Sequence, residues 1–177
     1  MIAGRLGGRR FQAPPGQATR PTSDRVREAL FSMLGPLDRA RVLDLFAGSG
    51  ALGIEALSRG AAAAVFVERD PRAARVLRAN LTGLGLGAGE ARVLVSDVRT
   101  ALRSASIAAD PYDLVLLDPP YRLAARLGPE LSAALAGVPA PGGLVVTESD
   151  RRQPLELDLP LADERRYGDT LIRIHAV

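Results

Sequence analysis

Two hydrophobic patterns take turns along this chain. Short continuous apolar runs, the mark of strands buried on both faces, occur at Arg41 to Phe46, Ala64 to Glu68, Ala91 to Ser96, Tyr112 to Leu117 and Gly143 to Glu148. Between them lie stretches whose apolar residues recur every three or four positions, as on one face of a helix. The first is capped by Ser23 or Asp24 and carries Val26, Ala29, Leu30, Met33, Leu34 and Leu37. The second runs through Ile54, Leu57 and Ser58. Asp70-Pro71 opens the third, with Ala73, Ala74, Leu77, Leu81 and Leu84 as its stripe. A short helix is expected from Val98 to Ala105 and a longer one from about Ala124 to Ala136. Five alternations of strand and helix predict an α/β fold with a doubly wound, mostly parallel sheet.

The two ends depart from that rhythm. Leu155 to Leu157 and Glu164 to Val177 alternate as strands with no helix between them, which predicts an antiparallel pair at one sheet edge. Met1 to Ala13 mixes Gly4, Gly7 and Gly8 with Arg5, Arg9 and Arg10, around Ile2, Leu6 and Phe11 as apolar points. It reads as a short hairpin or arm, broken by Pro14-Pro15-Gly16 inside a linker-like stretch from Ala13 to Ala18. The expected organisation is a basic arm over residues 1–20 and one domain over 21–177, with 21–40 as its leading helix.

Composition narrows the chemistry. The chain has 177 residues, enough for one full core, and no cysteine, so thiolate metal sites and cysteine nucleophiles are excluded. A lone histidine, His175, near the end of an alternating strand reads as structural and leaves little for a zinc site or a serine triad. No run of about 18 apolar residues occurs, and Met1 is not followed by a charged-then-apolar leader, so a cytoplasmic location is expected. All 23 basic residues are arginine. Residues 1–41 hold eight of them against three acids, a balance of +5, while the rest holds fifteen against seventeen, a balance of −2. The amino-terminal end is the one that would attract a phosphate backbone.

Acids punctuate the strand ends. Asp44 lies at the end of the first strand, just before Ala47-Gly48-Ser49-Gly50-Ala51-Leu52-Gly53. Glycines at 48, 50 and 53 match a tight turn that lets backbone approach a ligand at a helix start. A nicotinamide dinucleotide site shows the same spacing, but Asp44 would oppose a pyrophosphate and suits a cationic amine or sulfonium. Glu68 closes the second strand, where a carboxylate can take both ribose hydroxyls. The third strand delivers Asp97 to the same edge. The fourth delivers Asp118-Pro119-Pro120-Tyr121, in which two prolines stiffen the backbone between a carboxylate and an aromatic ring. That pairing suits a flat amino-bearing ring: carboxylate and carbonyl accept from the amine while the aromatic face stacks on it.

These residues resemble a known family nearly end to end. The stretches Arg20-Pro21-Thr22-Ser23-Asp24-Arg25-Val26-Arg27-Glu28-Ala29-Leu30-Phe31, Asp44 to Gly60, Asp118-Pro119-Pro120-Tyr121 and Tyr167-Gly168-Asp169-Thr170 are similar to the RsmD family of bacterial ribosomal RNA guanine-N2 methyltransferases. The resemblance implies a Rossmann-like methyltransferase sheet and S-adenosylmethionine as cofactor. It places that cofactor against Asp44, Phe46, Ala47, Gly48, Ser49, Gly50, Glu68, Arg69, Asp97 and Val98. Glu68 would hold the ribose hydroxyls and Asp97 would reach the adenine amine. Asp118, Pro119, Pro120 and Tyr121 would form the catalytic stretch. Arg5, Arg9, Arg10, Arg20, Thr22, Arg25 and Arg27 would meet RNA. The implied substrate is 16S ribosomal RNA, in the assembled 30S subunit; the size of the chain and its separate basic arm suit a monomer. Alternatives are an amino methyltransferase for another RNA or for DNA adenine, a nicotinamide-dependent oxidoreductase, and a catalytically silent assembly factor.

Overall fold

A computed structural model of the chain describes residues 1–9, 12, 24–104, 107 and 111–177, with Tyr121 described through its backbone. Seven strands form one sheet in the order β3-β2-β1-β4-β5-β7-β6. They are β1 (Arg41–Leu45), β2 (Ala63–Glu68), β3 (Ala91–Val95), β4 (Tyr112–Leu117), β5 (Pro139–Asp150), β6 (Leu161–Tyr167) and β7 (Thr170–Ala176). The first five run parallel, and β7 pairs antiparallel with both β5 and β6.

The helices are α1 (Asp24–Leu34), α2 (Ala51–Ser58), α3 (Pro71–Leu84), α4 (Val98–Leu102) and α5 (Tyr121–Ala134). Alternation along the strands divides the core into two layers. Val42, Phe66, Leu116, Val146 and Ile172 pack with the apolar stripes of α1, α2 and α3. Leu43, Leu45, Val67, Leu117 and Val145 pack on the other face with α4 and α5. No helix among the described residues is long and apolar enough to cross a membrane.

The structure redraws four expected boundaries. Leu155 to Leu157 is not a strand; the antiparallel pair is made wholly by the 161–176 run, which folds back on itself at Gly168, in the left-handed region at φ 63. Helix α4 ends at Leu102. Helix α5 begins directly at Tyr121, because Pro120 holds φ −52 and ψ 130, the extended geometry of a cap, and the first helical N–H groups need no intrahelical acceptor. The described part of the amino-terminal segment is not a hairpin. Gly4–Leu6 forms a 3-10 turn docked on α2, where the Ile2 and Ala3 N–H groups donate to Glu55 at 2.9 and 3.1 Å. The turn demands glycine: a Cβ on Gly4 would lie 1.8 Å from the Ser58 carbonyl oxygen. The expected Ser23 cap and the 13–18 linker lie outside the described residues.

Candidate active site

Strand β1 is the switch point of the sheet: its chain continues to β2 on one side, while β4 lies on the other. Ligands of open α/β sheets bind in the crevice beyond the strand ends at such a point. The register Leu45↔Leu117 brings the residues following β1, Phe46-Ala47-Gly48, beside those following β4, Asp118-Pro119-Pro120. Two loops that are distant in sequence therefore share one edge.

The loop after β1 turns sharply. Phe46, Gly48 and Gly50 all adopt positive φ, at 67, 55 and 87. For Phe46 that conformation costs on the order of 1–3 kcal/mol, which the surrounding bonds must offset. Ala47 N–H donates to the Val67 carbonyl at 3.0 Å, and Gly50 N–H to the Ala47 carbonyl at 2.7 Å. Close packing fixes the other glycines. A Cβ on Gly50 would sit 2.3 Å from Leu77 Cδ1, and one on Gly53 would sit 2.4 Å from Phe66 Cε1.

Beneath the loop, the side chain of Asp44 is buried, at 1% exposure, and accepts the Gly53 N–H at 2.9 Å. Burial pushes its carboxyl up to about 7; the Gly53 bond opposes the shift and the Glu68 charge adds to it. Among the described residues no cation pairs with it. A buried carboxylate without a counter-charge is suited to a ligand that brings a positive charge of its own.

Glu68 lies on the same sheet face. Its two oxygens accept the Gly48 N–H at 2.8 Å and the Asp70 N–H at 2.7 Å. An ionised carboxylate has about four acceptor positions, so two remain for hydroxyls. The carboxylate thus ties the glycine loop to the start of α3. Arg69, the next residue, is exposed.

Asp97 caps α4, accepting the Arg99 N–H at 3.0 Å and the Arg99 Nε–H at 3.1 Å. Burial would raise its pKa, but those hydrogen bonds and the guanidinium charge outweigh it and hold the carboxyl below the usual range. Val98, the first residue of that helix, is buried.

At the end of β4, Asp118 is half-buried, Pro119 buried and Pro120 exposed. Asp118 follows Leu117, so strand alternation turns it to the face of Asp44 and Glu68. The Tyr121 side chain lies outside the described residues.

The expected RNA-contacting residues fare unevenly. Arg25 is exposed on α1. Arg27, expected to meet RNA, is buried instead: its Nη2 donates to Asp24 at 2.6 Å and its Nε lies 3.9 Å from Glu55. Arg5 pairs with Glu90, and its Nε donates to the Leu57 carbonyl at 3.4 Å. The Arg9 guanidinium donates to the Gly83 and Leu84 carbonyls at 2.6 and 2.9 Å, closing the carboxyl end of α3. Arg10, Arg20 and Thr22 lie outside the described residues.

Three residues escaped the sequence reading. Asn80, buried on α3, donates from Nδ2 to the Ser49 carbonyl at 3.0 Å and to the Gln12 carbonyl at 2.9 Å; its Oδ1 accepts the Gln12 N–H at 2.8 Å. Glu55 is fully buried and gathers Arg59 at 2.8 Å, Arg27 and the Ile2 and Ala3 N–H groups. Glu148, also buried, stands one step beyond the Leu117↔Thr147 pair, level with Asp118 and on its face. Only Glu148 had a sequence signal, as one more acid closing a strand. His175 sits at the opposite end of β7, with Nδ1 3.1 Å from the Leu159 carbonyl, far from this edge.

Residues 1–176 match the family model described as Conserved hypothetical protein 95. The chain is 39% identical over 184 residues to YlbH of Bacillus subtilis, covering 99% of this chain and 97% of that protein. It is 45% identical over 123 residues to ribosomal RNA small subunit methyltransferase D of Escherichia coli, covering 69% of this chain and 60% of that protein. The solved structure of the Escherichia coli protein yhhF superposes with a TM-score of 0.83 at 35% identity, covering 99% of this chain and 96% of that one.

Proposed function

The chain belongs to the RsmD family of ribosomal RNA methyltransferases, and from that membership we propose that it transfers the methyl group of S-adenosylmethionine to the exocyclic N2 amine of a guanine in small-subunit ribosomal RNA. The observation that carries the chemistry is the buried Asp44, with no cation paired to it among the described residues, under a glycine loop that lies beside Asp118-Pro119-Pro120-Tyr121.

The residues present fit the cofactor. Asp44 offers the methionine amine a counter-charge, the free acceptor positions of Glu68 suit the ribose hydroxyls, and the exposed side of Asp97 suits the adenine amine. A pyrophosphate would meet Asp44 as a like charge, which disfavours a dinucleotide. When bound, the sulfonium supplies an activated methyl group.

The rest of the task falls to the chain. The guanine N2 lone pair is delocalised into the ring, so the amine is a weak nucleophile. Acceptance of its N–H bonds by the Asp118 carboxylate and the Pro119 carbonyl favours the tetrahedral nitrogen that develops during transfer. Tyr121, at the start of α5, stacks on the base. Positioning and electrostatics supply most of the acceleration. Asp118 takes the proton after the nitrogen has become cationic and acidic. The target base must be unpaired or everted for its edge to reach this site. The substrate is read as the assembled small subunit, met by a monomer in the cytoplasm.

The test is transfer of a labelled methyl group to small ribosomal subunits lacking the modification, beside naked ribosomal RNA and DNA. Label on the subunits, mapped to guanine N2, is the expected result. Label only on free RNA or DNA would overturn the substrate, and no label despite cofactor binding would overturn the activity.

A further inference from the structure

Three arginines that the charge distribution pointed toward RNA are committed within the fold: Arg5 to Glu90, Arg9 to the carbonyls ending α3, and Arg27 to Asp24 and Glu55. Another row of positive charge takes their place at the surface. Arg72, Arg75 and Arg78 are exposed on the outer side of α3, opposite the buried Ala73, Ala74, Leu77 and Leu81. Three residues apart, they climb the helix in steps of about 4.5 Å. Among the described residues none of the three side chains has an acidic partner.

Much of the charged surface elsewhere is paired. Arg99 pairs with Asp97 and Glu130, Arg165 with Asp163, Arg166 with Glu164, and Arg173 with Glu156 and Glu164. Arg122 and Arg126 on α5 share their helix with Glu130, whereas α3 contains no acidic residue from Pro71 to Leu84. The row also works against the helix that carries it. Arg72 stands in the first turn, where the helix N-terminus carries partial positive charge that the Asp70 cap, accepting the Arg72 N–H at 2.8 Å, offsets only in part. Neighbouring cations three positions apart repel one another. A polyanion reverses both costs.

The location fits the site. Helix α3 starts three residues after Glu68, at the edge where the glycine loop lies, and its inner side carries Asn80, bonded to Ser49. The row therefore begins at the cofactor edge and runs outward along one flank of the molecule.

We propose that Arg72, Arg75 and Arg78 bind phosphates of the ribosomal RNA substrate, making the outer face of α3 the surface on which the RNA backbone docks beside the cofactor edge. This rests on the reading of the chain as a ribosomal RNA methyltransferase. Docking here holds the RNA through its backbone and leaves the choice of base to the Asp118 side of the edge.

The experiment compares the full-length protein with the triple variant Arg72→Gln, Arg75→Gln, Arg78→Gln, and with a control of equal charge change on the far sheet edge, Arg152→Gln, Arg165→Gln, Arg166→Gln. Methyl transfer to small subunits lacking the modification is followed across a potassium chloride series, and S-adenosylmethionine affinity is measured by calorimetry. The α3 variant should raise the KM for subunits on the order of tenfold or more and flatten the slope of log KM against log salt by about 2 to 3. Its kcat and cofactor affinity should stay within twofold of the parent, and the control should behave as the parent. An unchanged KM and salt slope in the α3 variant, with the parent active, would overturn the docking surface and leave the enzyme reading intact. An equal rise in the control would reduce the effect to net charge and overturn it as well. An inactive parent would instead sink the enzyme reading.

Discussion

Asn80 Nδ2 donates to the Ser49 carbonyl at 3.0 Å, fastening the glycine loop to α3 from 31 residues away. The same amide holds Gln12 through two further bonds, so one buried side chain joins the glycine loop to the amino-terminal segment.

Asn80→Ala should therefore loosen the loop without touching the reacting atoms. Removal of a buried partner from satisfied backbone groups costs about 1–3 kcal/mol. The expected outcome is S-adenosylmethionine affinity weakened about tenfold by calorimetry, with kcat at saturating cofactor within twofold of the parent. A fall in kcat with affinity intact would place Asn80 in the chemistry.

On the proposed reading, Asp44 makes cofactor binding depend on pH. Its carboxyl is held near 7 by burial, so below that value it is mostly protonated in the free protein. A bound ammonium favours the carboxylate, and binding then releases a proton. Affinity should rise as pH climbs from about 5.5 to 7, by up to tenfold per unit. Stability of the free protein runs the other way. Between the ordinary aspartate range near 3.9 and about 7 the folded state keeps a proton that the unfolded state has lost, so this residue makes the fold less stable as pH rises through that window. Asp44→Asn should remove both trends, which titration calorimetry and thermal melts across pH can follow.

Glu55 anchors the amino-terminal turn and α1 to α2. Replacing it by Ala takes the carboxylate from buried Arg27 and from the Ile2 and Ala3 N–H groups. A loss of about 3–5 kcal/mol is expected, read from denaturant unfolding. A change below about 1 kcal/mol would mean that water replaces the carboxylate there.

Residues that end strands were legible because a strand's end can be read from where the apolar run stops. That is why Asp44, Glu68, Asp97 and the Asp118 stretch were found together at one edge. Asn80 and Glu55 were not, because their partners are mostly backbone groups or charges 28 to 68 residues away, and such contacts leave no periodic trace. Arg27 misled for a related reason. A helix stripe drawn from apolar residues alone omits a guanidinium that is buried once a carboxylate meets it. The start of α5 lies three residues before the expected Ala124, because a proline that stiffens the backbone past the strand is at the same time a cap compatible with the helix that follows.

In the proposed mechanism Asp118 acts on the acceptor amine and not on the fold or the cofactor. The most direct test is Asp118→Ala, with methyl transfer to unmodified small subunits and S-adenosylmethionine affinity measured on the same preparation. The expected result is a loss of turnover of a hundredfold or more, on the order of removing one preorganised transition-state hydrogen bond, with cofactor affinity within about threefold of the parent. Turnover and affinity falling together would contradict it, and so would a variant that still methylates at near the parent rate.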